Sequence, residues 1–163
     1  KVQLSAFPKK FIAFVIGGQH STKILPTNKI VSICNKINKD VILIGGDDNS
    51  MRGKEIEKKC KRVINTCGDF TVMQSAFLIK NSHYVITHDT GMMHIASAFG
   101  KKIFSVWGNT IPEFGMYPYY SNKKNNNITI EVDGLSCRPC SKIGYKKGIL
   151  LGLTIMGIGC LLF

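Results

Sequence analysis

Acidic residues are scarce in this sequence: 10 Asp and Glu stand against 22 Lys and Arg in 163 residues, a formal net charge of +12. Cysteine is sparse as well. Six thiols are too few for a small disulfide scaffold, so reduced thiols and a cytoplasmic setting are expected. The stretch from Lys1 to Lys10 lacks the apolar run of a signal peptide. No heptad persists, and the 16 Gly and 5 Pro are scattered, which excludes coiled-coil, collagen-like and low-complexity readings. Neither the Walker spacing nor G-x-G-x-x-G occurs, which weakens nucleoside-triphosphatase and dinucleotide-oxidoreductase readings. The cationic clusters carry no recognition-helix, zinc-finger or RNA-binding aromatic signature, so nucleic acid is not an expected partner. With 44% hydrophobic residues and 20% charged, the chain can instead build a packed core.

The cationic surplus creates a field that attracts polyanions, whether anionic lipid head groups, nucleic acid or phosphorylated small molecules. Charge alone does not choose among them. In Lys54–Arg62, KEIEKKCKR, Glu55 and Glu57 are interleaved with the cations, the pattern of a solvated helix face with local pairing.

Apolar runs alternate with segments of helical period. Phe11–Ile16 reads as a strand and Thr27–Asn38 as an amphipathic helix with Ile30, Ile33, Cys34 and Ile37 on one face. Pro26 and Thr27 are start signals, with the Thr27 hydroxyl expected to accept from a first-turn amide. Strand Val41–Ile44, helix Gly53–Arg62, strand Val63–Asn65, helix Thr71–Lys80, strand Tyr84–Thr87, helix Met92–Phe99 and strand Ile103–Trp107 follow. Gly108–Tyr120 reads as a long ordered loop, and NKKNNN as a polar turn before Ile128–Val132. Five strand–helix alternations with short connections predict parallel strands and a doubly wound α/β domain. Ligands of such sheets bind beyond the carboxyl ends of the strands.

Three segments at those ends have suitable chemistry. After Thr87 the chain reads HDTGMMH, so a helix opens at Gly91 where bare amides carry partial positive charge and no side chain bars an anion. Thr90 adds a hydroxyl, Asp89 a carboxylate, and His94 lies in the first turn. The competing reading makes Asp89 or Thr90 a plain N-cap and His94 an ordinary histidine. After Ile16, Gly17 to Lys23 supply flexible backbone, hydroxyls that include Thr22, and the cation of Lys23. After Ile44 come Gly45, Gly46, Asp47 and Asp48, either a turn or a carboxylate for ribose hydroxyls. Cys137 and Cys140 form a C-x-x-C that fits a metal half-site, a redox pair or neither, and a closed zinc site would need two more ligands. The domain is placed at residues 1–147. Residues 148–163 form an apolar tail, about 24 Å long as a helix and short of a bilayer span. That tail is read as a packing helix, an interfacial segment or a frame artefact.

HDTGMMHIASAFGKKIFSVWGNTIPEFG, with GGQHSTKILP and VILIGGDD before it, resembles the nucleotide-sugar-binding half of the heptosyltransferases, glycosyltransferase family 9. The resemblance implies a Rossmann-like domain, one half of a two-domain GT-B enzyme, that transfers a heptose or related sugar from an ADP-activated donor to the lipopolysaccharide core with inversion. It implies that Thr22 and Lys23 face the donor diphosphate, that Thr90 and Gly91 bind it, and that Asp89 and His94 orient donor and sugar. Asp47 or Asp48 would take the ribose. No metal or other cofactor is required. The base that deprotonates the acceptor belongs to the family's other domain, and the expected location is cytoplasmic, with peripheral contact to the anionic inner membrane. The alternative from a different class is a non-catalytic nucleotide-binding or membrane-docking module.

Overall fold

A computed structural model describes Ser5 and residues 7–108, 110–121, 125–131 and 139. Strands β1 (Phe11–Val15), β2 (Asp40–Ile44), β3 (Val63–Asn65), β4 (Val85–His88), β5 (Ile103–Val106) and β6 (Asn127–Ile130) form a single sheet in the order β3-β2-β1-β4-β5-β6. Every pairing is parallel. Successive side chains of a strand point to opposite faces, so β1 divides itself between two cores. Ile12 and Phe14 face α1 (Thr27–Lys36) and α2 (Ser50–Lys59), meeting Ile30, Cys34 and Ile56. Phe11, Ala13 and Val15 face α3 (Val72–Asn81) and α4 (Gly91–Ala98), meeting Leu78, Ile79, Met93 and Ala96. All five residues of β1 are buried, as a strand covered on both faces requires. The doubly wound α/β expectation holds.

Four local expectations change. First, β6 is a strand, paired with β5 at the edge from Ile103 opposite Asn127 to Val106 opposite Ile130. Second, α2 begins at Ser50, after a 3₁₀ turn at Asp47–Asn49, so Gly53 lies inside the helix. Third, Thr27 does not cap α1: its hydroxyl accepts a hydrogen bond from Arg52 Nε at 3.0 Å, and the position before the helix is Pro26. Fourth, the loop after β5 holds a 3₁₀ turn at Pro112–Phe114, ended by Gly115 at φ 85°, and Met116 returns to the carboxyl end of the sheet. By contrast α3 starts where its sequence says, with a reciprocal cap. Thr71 Oγ1 accepts from Gln74 N–H at 3.3 Å, and Gln74 Oε1 accepts from Thr71 N–H at 2.9 Å.

Because all strands run one way, the residues preceding them share the end of the sheet opposite the strand carboxyl ends. Lys9 and Lys10, Lys39, Lys61 and Arg62, and Lys101 and Lys102 gather there, joined by Lys59 and Lys80 from the last turns of α2 and α3. Much of the cationic surplus therefore lies on that end. Cys34 and Cys67 are buried free thiols, and burial pushes both up to about 12, as packing residues rather than nucleophiles.

Candidate functional site

Order reverses between β1 and β4, the adjacent strands from which the two halves of the sheet run outward, and this is where open α/β sheets bind ligands. A cavity of about 900 Å³ opens there beyond the strand ends. Its walls are the segments after β1 (Gly17 to His20, and Lys23), after β2 (Gly45, Gly46, Asp48, Asn49), and after β4 (Asp89 to Met92, His94). Phe70, Val72, Ile95 and Met116 give it an apolar part.

Helix α4 begins on that wall with its first turn open. Thr90 is extended at the N-cap position with no side-chain cap bond, and its hydroxyl lies 3.2 Å from that of Thr87. A Cβ built on Gly91 meets nothing within 4 Å. The amide end of α4 thus faces free volume, an arrangement that favours an anion. Lys23, in the 3₁₀ turn Ser21–Lys23, forms an ion pair with Asp89, and both side chains are largely buried at 11% and 7% exposure. One ammonium and one helix N-terminus therefore lie on the same cavity wall, with a carboxylate between them.

The other candidate residues divide. Asp48 and exposed His94 line the cavity, and Asp48 Oδ1 accepts from Asn49 Nδ2 at 2.7 Å. Thr22 and Asp47 are not on its wall: Asp47 is exposed in the turn before α2, beside Gly68. Cys137 and Cys140 lie outside the described residues, as does segment 148–163. Among the described residues no group of three or more His, Cys, Asp or Glu is placed to hold a metal ion, and no helix is long and apolar enough to cross a membrane.

Sequence reasoning missed three contributors. Asn49 is buried beneath the loops, and a Cβ on Gly17 or Gly45 would fall 3.0 Å from its Nδ2 or 2.9 Å from its Cβ. Those glycines serve close approach rather than flexibility. Arg52, on α2, donates to the Ile16 carbonyl at 3.0 Å and to the Leu25 carbonyl. Burial draws its pKa below the ordinary value. His88, last in β4, is 1% exposed, and its Nε2 accepts the Leu25 N–H at 3.0 Å. The accepting nitrogen must be unprotonated, so the ring is neutral.

Burial, with Arg52 charge beside it, pushes His88 down to about 3 from 6.5. In that window the unfolded chain binds a proton the folded chain refuses, so stability is present above pH 6.5 and is lost as pH falls toward 3. The slope contributed is at most about 1.4 kcal/mol per pH unit. Urea unfolding at pH 7, 6, 5 and 4 is expected to show a steeper loss in the unsubstituted chain than in His88→Gln. Equal slopes in the two would exclude His88 as the source.

The description "Glycosyltransferase family 9 (heptosyltransferase)" belongs to the family model that matches residues 1–147. The chain is 29% identical over 119 residues to lipooligosaccharide heptosyltransferase 2 of Haemophilus influenzae, covering 70% of this chain and 34% of that protein. Among solved structures it resembles E. coli ADP-heptose lps heptosyltransferase II, with TM-score 0.67 and 19% identity over 91% of this chain and 48% of that one. It also resembles an E. coli heptosyltransferase solved with ADP, with TM-score 0.64 and 15% identity over 94% and 47%. The chain spans between a third and a half of the length of these relatives.

Proposed function

The chain belongs to glycosyltransferase family 9, the heptosyltransferases, and from that premise we propose that it is the donor-binding half of an enzyme that transfers a heptose, or a related sugar, from an ADP-activated donor to the lipopolysaccharide core. The observation that carries this reading is the open amide end of α4 at Gly91, on the same cavity wall as Lys23. Amides and ammonium suit a diphosphate, and the apolar part formed by Phe70, Val72 and Met116 suits a flat base. Asp48 is the carboxylate on the wall that can accept from ribose hydroxyls, which favours it over Asp47. His94 and Asp89 flank the place where the sugar would meet the phosphate. In support, one structural relative was solved with ADP.

In this mechanism an acceptor hydroxyl oxygen attacks the anomeric carbon from the face opposite the phosphate. The bond from that carbon to the phosphate oxygen breaks, the electron pair leaves on ADP, and the configuration inverts. The acceptor's proton goes to a base in the other half of the longer enzyme. The contribution of this half is electrostatic. Negative charge grows on the departing diphosphate, and in this reading the α4 amides and Lys23 stabilise it. Lys23 must exchange Asp89 for phosphate, so a charge-assisted contact is traded rather than created, and its net value is moderate.

Lys23→Ala is expected to weaken ADP binding by about tenfold, roughly 1.4 kcal/mol, read by calorimetry on the chain itself. Undiminished affinity in that variant would remove Lys23 from the diphosphate site, and ADP binding no tighter than AMP binding would remove the diphosphate.

A further inference from the structure

The backbone of a single residue, Leu25, is gripped on both its peptide groups at the sheet's switch point. Its N–H donates to His88 Nε2 at 3.0 Å, and its carbonyl accepts from Arg52 Nη2. The same guanidinium reaches the Ile16 carbonyl through Nη1 at 3.0 Å and the Thr27 hydroxyl through Nε at 3.0 Å. Ile16 directly follows β1, and Thr27 is the first residue of α1. One side chain therefore ties both ends of the segment that carries Gly17, Gly18, His20 and Lys23 along the cavity. The next residue after His88 is Asp89, which takes the Lys23 ammonium. Helix α2 and the end of β4 thus hold the segment at four residues, Ile16, Lys23, Leu25 and Thr27, and none of these contacts needs a ligand.

We propose that Arg52 and His88 are positioning residues that act through Leu25 to present Lys23 to the donor diphosphate; this rests on the donor-binding reading above. The chemistry requires these side chains. A guanidinium offers donors in a planar fork that can serve three acceptors at fixed angles, which an ammonium on a flexible stem does not reproduce. A buried histidine is the partner for Leu25 N–H because its neutral ring presents an acceptor nitrogen. Without this brace the segment must be ordered at the moment of binding, and that cost is subtracted from the affinity. Neither residue lies on the cavity wall, so both act at second hand.

The test is a double-substitution cycle on the 163-residue chain, with ADP as the probe and calorimetry as the readout. Arg52→Gln is expected to weaken ADP binding about tenfold in the presence of Lys23, and less than twofold in a Lys23→Ala background. Equal losses in both backgrounds, or no loss in either, would overturn the proposal, because a general structural role does not depend on Lys23. Should Arg52→Gln fail to fold, His88→Leu carries the same cycle with the same expectations. His88→Gln, whose amide oxygen can accept the Leu25 N–H, is expected to restore affinity to within about threefold. Hydrogen exchange separates this inference from the reading beneath it. If the unsubstituted chain binds no ADP, the donor reading fails. The brace itself is then judged by the Leu25 amide, expected to exchange at least tenfold faster in Arg52→Gln; an unchanged rate would overturn it.

Discussion

Gly91→Glu is expected to abolish ADP binding while leaving the folded protein as stable as before, or slightly more so. The two effects have opposite signs because the same spot serves fold and ligand differently. For the helix, an acidic side chain in the first turn of α4 complements the partial positive charge of its amides, worth about 0.3–1 kcal/mol. Space permits it, since a Cβ at Gly91 meets nothing within 4 Å. For the ligand, a carboxylate would stand where the proposed site puts the diphosphate. Two unit charges at 4 Å repel by about 4 kcal/mol at an effective dielectric constant of 20, on the order of a thousandfold in affinity. Gly91→Ala is the steric control: it adds a methyl without charge and should cost about threefold to tenfold. Calorimetry with ADP and thermal melting of the same samples check both halves of the expectation. Retained binding by Gly91→Glu would show that the phosphates do not sit at the α4 end.

Gly53→Ala should be the most damaging small substitution in the fold. In an ordinary helix interior that change stabilises by about 0.5–1 kcal/mol. Here a Cβ would lie 1.9 Å from Asn65 Oδ1 and 2.6 Å from its Cγ, so helix α2 can lie on β3 only because position 53 has no side chain. Asn65 cannot withdraw freely. Its Oδ1 accepts from Cys67 N–H at 3.1 Å, and its backbone N–H donates to Glu57 Oε1 at 2.9 Å. Either those bonds break or α2 moves away. The expected loss is about 1–3 kcal/mol by comparison with overpacked cores, a fall in Tm of roughly 2–12 °C. Asn65→Ala in the same chain should recover part of it. Since α2 also carries Arg52, ADP affinity should fall together with stability and recover with it. A Gly53→Ala protein as stable as its parent would show that α2 and Asn65 are not in this contact.

Much of this architecture was legible because buried parallel strands and amphipathic helices write different periods. VILI, FIAFV and the helical spacing of Ile30, Ile33 and Cys34 could be read directly, and their order implied the parallel sheet. The strand β6 was not legible. Asn127–Ile130 is a partly exposed edge strand behind a polar run, without the apolar density of the inner strands. The start of α2 was hidden for a related reason: of its first turns only Gly53 and Ile56 are buried, so the apolar period begins late. Lys23, Asp48, Asp89, Thr90, Gly91 and His94 line the cavity, as the sequence selected them, because they lie in segments that follow strands. That rule also selected Thr22 and Asp47, which do not reach the wall. Arg52 and His88 were invisible for a different reason. Their partners include the Leu25 backbone, 27 and 63 residues away, and no side-chain pattern in one sequence records which carbonyl a distant arginine will meet.

The lysines collected before the strands have a consequence for the opposite end of the molecule. A five-residue strand is about 16 Å long, twice the Debye length of about 8 Å at physiological ionic strength. Mobile ions therefore hide that cationic face from anything approaching the cavity, and the protein's large formal charge is a poor guide to the potential a nucleotide meets there. The potential at the cavity is set within a few ångströms, by Lys23 already neutralised by Asp89, by the carboxylate of Asp48 and by the dipoles of a single helix turn.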